Sequence, residues 1–334
     1  MSTIDFIIPW VDDSDIEWQI EKEEQLNGIK LTQEQKAMVE EKAFRDWGIL
    51  KYWFRSVEIY APWVNKIHFV TYGHIPEWLN TNHVKINIVK HSDYLPKNSL
   101  PTFNSRSIEI NFHRIKGLSE QFVYFNDDMF LNDYVKEIDF FQNGIPCDSG
   151  IFSQITPVKF GTASVQVNNI EIINDHFSFD KLKRHNKCKY LNLKYGKQNL
   201  RNIFLMQSKY FVGFYESHLP NAFSKKTFEE LWDKEKEILN STTISKFKNK
   251  YNVNQWLFRD WQLASGKFNP RKSNFGKYYE LSSNNEILYR DIKDNKYKLI
   301  CINDSFLIND FNSVKKEVVS ILDQKYPHKS SYEL

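Results

Sequence analysis

Cysteine is scarce in this chain. The three present, Cys147, Cys188 and Cys301, are far apart, odd in number and without a C-x-x-C spacing. That argues against a disulfide framework or a structural zinc site and fits a reducing cytosol. Long apolar runs are missing too: no uncharged stretch approaches the roughly 20 residues that cross a bilayer. The opening Met1-Ser2-Thr3-Ile4-Asp5 lacks a basic region followed by an apolar one, so no signal peptide is expected. These absences point to a soluble, cytoplasmic protein, with a peripheral place at the inner face of the membrane as the other option. An excess of one charge is also absent. Lys and Arg number 45 against 42 Asp and Glu, a net charge of +3, too even for nucleic-acid binding by charge alone. Basic residues do become denser after about position 181, a local patch for an anionic ligand or a membrane surface. No repeat and no low-complexity linker interrupts the chain.

What is present is a sequence of 334 residues, long enough to bury a large core. An aromatic fraction of 16% suits cores and also base or sugar stacking, tilting the reading toward a carbohydrate or nucleotide partner. Ile4 to Val11 reads as a buried first strand running into Asp12-Asp13-Ser14-Asp15, where Ser14 and Asp15 are good helix caps. Residues 16 to 44, rich in Glu, Lys and Gln, predict two solvated helices. Leu50, Trp53, Phe54, Val57 and Tyr60 form a helical stripe. Strands over Lys66–Tyr72 and Lys85–His91 continue the rhythm of a parallel sheet, and a helix is expected from about Ser105 to Gly117.

Glu120 to Leu131 then stands out. Phe122 to Phe125 has strand character and runs straight into Asp127-Asp128. In a parallel α/β sheet, ligands bind beyond the carboxyl ends of the strands, and carboxylates there suit a divalent metal and the phosphates of a nucleotide. The plain alternative is a turn. Successive strand residues face opposite ways, so both aspartates share a cleft only if the strand has ended by Asn126; otherwise Asp128 is the functional one.

Beyond this block the expectations are looser. Ile151–Ile155, Ser164–Val167 and Ile170–Ile173 read as short strands, followed by a basic polar stretch from Lys181 to Arg201. Tyr210–Tyr215 returns to strand character, Thr227 with Glu230 makes a capping box, and Val253–Ser265 is helical. Glu286–Asp291 and Tyr297–Ile302 read as strands and Ser313–Gln324 as a last helix. The fold class expected is α/β, Rossmann-like, with a mostly parallel sheet, flanking helices and an inserted subdomain. Its parts would be a nucleotide-sugar-binding half over 1–131, an acceptor-side insertion over 132–210, and the rest of the core with the last helix over 211–334.

Several polar residues carry two readings. Arg45 and Arg55 are surface charges or phosphate clamps. Asn104 or Ser105 caps the following helix, whose positive end can also receive a phosphate. His218 is a structural histidine or a base titrating near neutrality. Arg259 is a helix salt bridge or a donor fork for a phosphate.

Together the motifs resemble one family. Asp5-Phe-Ile-Ile-Pro-Trp-Val-Asp12, Arg45-Asp-Trp-Gly48 continuing through Arg55-Ser-Val-Glu58 to Tyr60-Ala-Pro-Trp63, and Asn126-Asp-Asp-Met-Phe130 look like the Stealth family. Ser217-His-Leu-Pro-Asn-Ala-Phe223 and Asn254-Gln-Trp-Leu-Phe-Arg259 are similar to its third and fourth conserved regions. The match touches most of the chain from residue 4 to about 265, in order. The resemblance implies a bacterial sugar-1-phosphate transferase of capsule and exopolysaccharide synthesis. Its donor would be a UDP-sugar and its acceptor an oligosaccharide or lipid-linked polysaccharide, with other polysaccharide-synthesis enzymes as partners. The product would be a phosphodiester, with release of UMP. It also implies Mg²⁺ or Mn²⁺ at Asp128 with Asp127, Asp12 as helper, His218 as general base, Arg259 on the transferring phosphate, and roles for Glu109 and Asp5 at matched acidic positions.

Two rivals share the residues. A metal-dependent glycosyltransferase would hold the same nucleotide diphosphate but release UDP. A non-catalytic glycan-binding protein would need only the aromatics.

Overall fold

The computed structural model describes residues 3–28, 45–158, 161–305 and 308–334. Its centre is a five-stranded sheet in the order β3-β2-β1-β4-β8, made of β1 (Ile4–Trp10), β2 (Ile67–Thr71), β3 (Ile86–Lys90), β4 (Gln121–Tyr124) and β8 (Asn221–Ser224). The first four strands are parallel and β8 is antiparallel to β4. β1 reads as an almost unbroken apolar run because both of its faces are covered. Ile4, Phe6 and Ile8 enter one core cluster with the Leu50–Tyr60 and Phe311–Lys325 helices. Ile7 enters another with the Ala163–His176 and Trp256–Ala264 helices. Phe6, Phe69, Phe122 and Trp53 are fully enclosed, each worth about 1.5–3 kcal/mol of burial.

Two small sheets flank this centre. One, β10-β11-β5, joins β10 (Gly276–Glu280) and β11 (Leu299–Asn303) to β5 (Met129–Leu131), the strand that follows the paired aspartates. The other, β6-β7-β9, links β6 (Phe141–Gln142) and β7 (Ile145–Asp148) to β9 (Asn269–Pro270). The chain from 211 onward thus returns to the central sheet through β8, and β11 packs beside the first half. Within the segment 132–210, the Ala163–His176 helix packs against Trp256–Ala264 in the second core cluster. No helix among the described residues is long and apolar enough to cross a membrane.

The early elements fall where expected. Asp15 caps the Ile16–Leu26 helix by accepting from the Trp18 amide at 2.7 Å; the second helix expected before residue 44 lies outside the described residues. Later elements differ, for physical reasons. Ser164–Val167 and Ile170–Ile173 belong to one helix, Ala163–His176, which buries Val165, Asn169, Ile170 and Ile173. That spacing is helical despite the β-branched content. Glu286–Lys293 is also a helix, burying Leu288, Asp291 and Ile292. Thr227 is buried within the Lys225–Lys234 helix and bonds the Gln262 side chain instead of capping. The helix after Asn104 ends at Glu109 and is followed by a 3₁₀ turn over Phe112–Arg114. Tyr210–Tyr215 contributes only a bridge from Phe214 to Phe152.

Candidate active site

Strand order places the site. β1 has β2 on one side and β4 on the other, so the chain reverses direction across the sheet between β1 and β4. A crevice opens beyond the carboxyl ends of strands at such a switch point. Here a cavity of about 380 Å³ is lined by Pro9, Trp10 and Val11 from the end of β1 and by Tyr124, Asn126, Asp127 and Asp128 from the end of β4. β4 stops at Tyr124, and Asp127 and Asp128 occupy a turn before β5. Strand alternation no longer applies there, so both carboxylates reach the cavity. The amide of Ile302 donates to the Asp128 carbonyl at 2.8 Å, tying the turn to β11.

Two further elements complete the wall through their register. β8 runs antiparallel to β4 with Asn221 opposite Tyr124, so the loop just before β8 arrives at the same edge of the sheet. It carries His218, whose Nε2 lies 3.3 Å from Asp128 Oδ2. His218 adopts φ 46°, the left-handed region that a non-glycine residue rarely occupies outside turns and functional sites. β11 pairs with β5 so that Cys301 faces Met129, and the Cys301 thiol donates to Asp128 Oδ2 at 3.1 Å. Burial, with the Asp128 charge, holds this thiol well above its usual pKa. It stays protonated and acts as a donor. One Asp128 oxygen is thereby engaged, while Oδ1 is buried without a hydrogen-bond partner.

The electrostatics follow from crowding. Enclosure in the cleft, then the charges of Asp128 and Asp46, push Asp127 up to about 7, although its side chain remains accessible through the opening. Burial lowers His218, but the hydrogen bond and charge of Asp128, with Glu109 and Asp127 behind, outweigh it and leave the imidazole raised. Glu109, buried in the wall, is raised by desolvation, opposed by Lys248 and by the Tyr124 hydroxyl, which donates to it at 3.1 Å. Tyr124 also bonds the Asn126 side chain. An unsatisfied, buried carboxylate oxygen costs free energy unless a cation or donor arrives. Asp128 Oδ1 is a hard oxygen of the type that suits Mg²⁺ or Mn²⁺, and Asp127 lines the same cavity. Asp128, His218 and Cys301 offer atoms within 4.8 Å of one another, but the protonated thiol is already a donor to Asp128.

The other residues singled out in the sequence scatter. Arg45 and Ser105 do line the cavity. The Arg45 fork is engaged by Asp304, with Nη2 2.6 Å from Oδ1, at the half-exposed rim. Asp12 follows Val11 but accepts from the Ser14 amide and hydroxyl at 2.9 and 2.6 Å, closing a turn. Asn104 is buried behind the wall, capping its helix and bonding Asn252 at 3.1 Å.

Three residues lie elsewhere. Asp5 sits at the opposite end of β1, where it accepts from Asn65, His68 and Ser119 at 2.7, 3.0 and 2.8 Å and pins β2 and the approach to β4. Arg55 binds Glu333 through two nitrogens at 2.8 and 2.7 Å and the Tyr326 carbonyl at 2.8 Å, holding the end of the chain against the Leu50–Tyr60 helix. Arg259 is buried away from the cavity wall. Its Nε and Nη2 bond Asp148 at 2.7 and 3.1 Å and its Nη1 bonds Glu216 at 2.9 Å. Its fork is therefore spent within the protein, and it reaches the site only through the Glu216-Ser217-His218 loop.

Cys301 and Lys248 escaped the sequence reading. Cys301 shares a strand-like run with apolar neighbours, and Lys248 sits in a basic loop. Only long-range pairing brings either one to the aspartates.

Residues 43–147 match the model for Stealth protein CR2, conserved region 2. The chain is 47% identical over 333 residues to the capsular polysaccharide phosphotransferase WcwK of Streptococcus pneumoniae, covering 100% of this chain and 98% of that one. It is 38% identical over 336 residues to the receptor polysaccharide phosphotransferase WefC of Streptococcus oralis, covering 100% of each. A crystal structure of the galactosyltransferase LgtC with donor and acceptor sugar analogs overlaps 96% of this chain and 95% of that chain, at 10% identity and a TM-score of 0.40. Identity at this level across whole chains settles the family: the protein belongs to the Stealth family and is a phosphotransferase.

Proposed function

We propose that the protein transfers hexose 1-phosphate from a UDP-sugar to a hydroxyl of a capsular or cell-surface polysaccharide, oligosaccharide-borne or lipid-linked, and releases UMP. The observation that carries this reading is the convergence of Asp127, Asp128 and His218 on one cavity at the carboxyl ends of β1 and β4. The relatives act on capsular and receptor polysaccharides by name, which supports the acceptor class.

The acceptor oxygen attacks the phosphorus that carries the sugar. A new P–O bond forms, the bond from that phosphorus to the bridging oxygen breaks, and its electron pair leaves with UMP. Phosphoryl transfer asks mainly for positioning and charge neutralisation. Asp127 and Asp128 would hold Mg²⁺ or Mn²⁺, which supplies positive charge against the pyrophosphate. His218 engages Asp128 through Nε2, which leaves Nδ1 to take the hydroxyl proton. Its raised pKa makes it a stronger base once neutral. Lys248 lines the same cavity and adds positive charge for phosphates, while the Arg45 fork at the rim is already held by Asp304. Trp47 and Trp10, also in the wall, offer flat apolar surface for a base or sugar ring. Arg259 steadies the His218 loop through Glu216 and is a positioning residue.

The test is the identity of the released nucleotide when the protein is given UDP-hexoses, Mg²⁺ and an oligosaccharide acceptor. Acceptor-dependent UMP is expected. Release of UDP would make the protein a glycosyltransferase, and no turnover with any donor would leave a binding role.

A further inference from the structure

The segment 181–209 has seven lysines, two arginines and no Asp or Glu. Seven of those nine cations are exposed: Lys181, Arg184, Lys187, Lys194, Lys197, Arg201 and Lys209. Such a run alone is commonly a solvated face. Large apolar side chains stand among the cations, however. Leu193 is 98% exposed, Phe204 77%, Leu200 71% and Ile203 50%. Scattered exposed apolar residues are normal, but a contiguous group rimmed by charge marks an interaction surface.

The group is contiguous because of how its helix is seated. Asn202, on the Gln198–Leu205 helix, is fully buried; it donates to the Gly150 and Tyr190 carbonyls at 2.8 and 2.6 Å and accepts from the Phe152 amide at 2.8 Å. At ~100° per residue, Leu200 and Phe204 fall on the face opposite Asn202, with Lys197 beside them and Ile203 and Arg201 on the flanks. The helix is bolted down by a polar side chain and turns its apolar face outward. The neighbouring turn, Leu193–Tyr195, is held to the same helix by Asn199, which donates to the Asn192 carbonyl at 2.8 Å and accepts from the Asn192 amide at 3.0 Å. That turn buries Tyr195 and leaves Leu193 out, extending the patch.

We propose that this face docks the enzyme on an anionic phospholipid surface, Leu193, Leu200, Ile203 and Phe204 entering the headgroup boundary and the exposed cations facing lipid phosphates. Apolar residues on one side with Lys and Arg around them is the pattern of an interfacial helix, and basic clusters are drawn to anionic leaflets. Charge selects the occupant. A second copy would bring an equally basic face and be repelled, whereas an anionic bilayer offers both charge and an apolar boundary. Docking there is a property of this surface and does not depend on which bond the active site breaks.

The experiment is flotation of the full chain with vesicles of phosphatidylcholine alone or containing about 30% phosphatidylglycerol, at low and high salt. The protein is expected to float with the anionic vesicles, to detach at high salt, and to remain behind with the neutral ones. The Leu200→Ser/Phe204→Ser double variant, altered only at outward positions, should lose about tenfold or more in partitioning. Its UMP release with a water-soluble acceptor should be unchanged. Wild-type protein that stays in solution with anionic vesicles, or a double variant that floats as well as wild type, overturns the proposal. So does a dimer that the same two substitutions dissolve, which would make the face an interface between copies. Loss of UMP release in the wild type would instead strike the catalytic reading and leave vesicle binding to be judged separately.

Discussion

Two acidic clusters lie one short loop apart, and they behave as opposites. In one, Asp148, Glu216 and Asp260 surround Arg259, which is 2% exposed and uses three nitrogens on Asp148 and Glu216. In the other, Asp127, Asp128 and Glu109 surround His218 at an open cavity, and Asp128 keeps a buried oxygen without a partner. The first is sealed around its arginine, and the second opens to a cavity. Both shift pKa values strongly, so perturbation alone does not separate a structural cluster from a catalytic one. Access does: each cluster has a buried carboxylate oxygen without a hydrogen-bond partner, Asp260 Oδ1 in the first and Asp128 Oδ1 in the second, but the second opens to a cavity. The two communicate through Glu216-Ser217-His218, one end fixed by the closed cluster and the other presented to the open one.

The sharpest way to break this contrast is to substitute one member of each cluster. Asp128→Asn keeps the shape but removes the charge that orients His218 and would hold the cation. UMP release should fall by about 10³-fold or more, with the circular dichroism spectrum and Tm near wild type. Near-normal turnover would remove the cavity from the reaction. Arg259→Met should do the reverse in kind. Leaving buried carboxylates without their cation costs about 3–5 kcal/mol, read in a denaturant titration, and activity should fall with the folded fraction and the loosened His218 loop. If Arg259→Met were fully stable yet inactive, Arg259 would belong to the chemistry.

How much of this was legible in the sequence divides along the same line. Asp127, Asp128 and His218 could be singled out because a strand-end acidic pair and a His-Leu-Pro motif are local patterns. The parallel half of the sheet was readable for a similar reason, since β1, β2 and β3 are apolar runs bounded by turns. The resemblance implies a phosphate role for Arg259, and a helix margin says nothing about the carboxylates, Asp148 and Glu216, that two other segments bring to it. Asp5 and Arg55 show the same limit: each is a buried clamp between elements distant in the chain, 114 residues from Asp5 to Ser119 and 278 from Arg55 to Glu333. The Ala163–His176 helix was masked by its β-branched residues, whose local preference was overridden by packing against Trp256–Ala264.

A smaller effect sharpens the open side. His218→Gln keeps a polar side chain but removes the proposed base, and about 10²-fold should be lost from turnover. In the wild type the imidazole must be neutral to accept a proton, and its pKa is raised by Asp128 over the opposing effect of burial. The rate should therefore climb with pH through a value above 6.5, the ordinary imidazole pKa. That acidic limb should vanish in His218→Gln. A wild-type rate flat from pH 6 to 8 would take His218 out of the proton transfer.

The smallest effect belongs to the closed side and appears in stability alone. Burial raises Asp260 well above the usual carboxylate range, with the Glu216 charge adding to it, and Glu216 itself is pushed up to about 6. The native pair therefore keeps a proton that the unfolded chain gives up near pH 4. Where the native state binds more protons, stability falls as pH rises. The pair's contribution is fully present below about pH 4 and is lost as pH climbs through the raised native values. Asp260→Asn, which supplies a permanent hydrogen-bond donor to Glu216, should flatten the fall of unfolding free energy between pH 5 and 7 by on the order of 1 kcal/mol, seen as a shallower fall of Tm. Turnover per folded molecule should stay near wild type, because Asp260 reaches neither the cavity nor His218. If the substitution left the pH dependence of Tm untouched, the buried carboxylates would not be sharing a proton, and Arg259 would have to be balancing all three as anions.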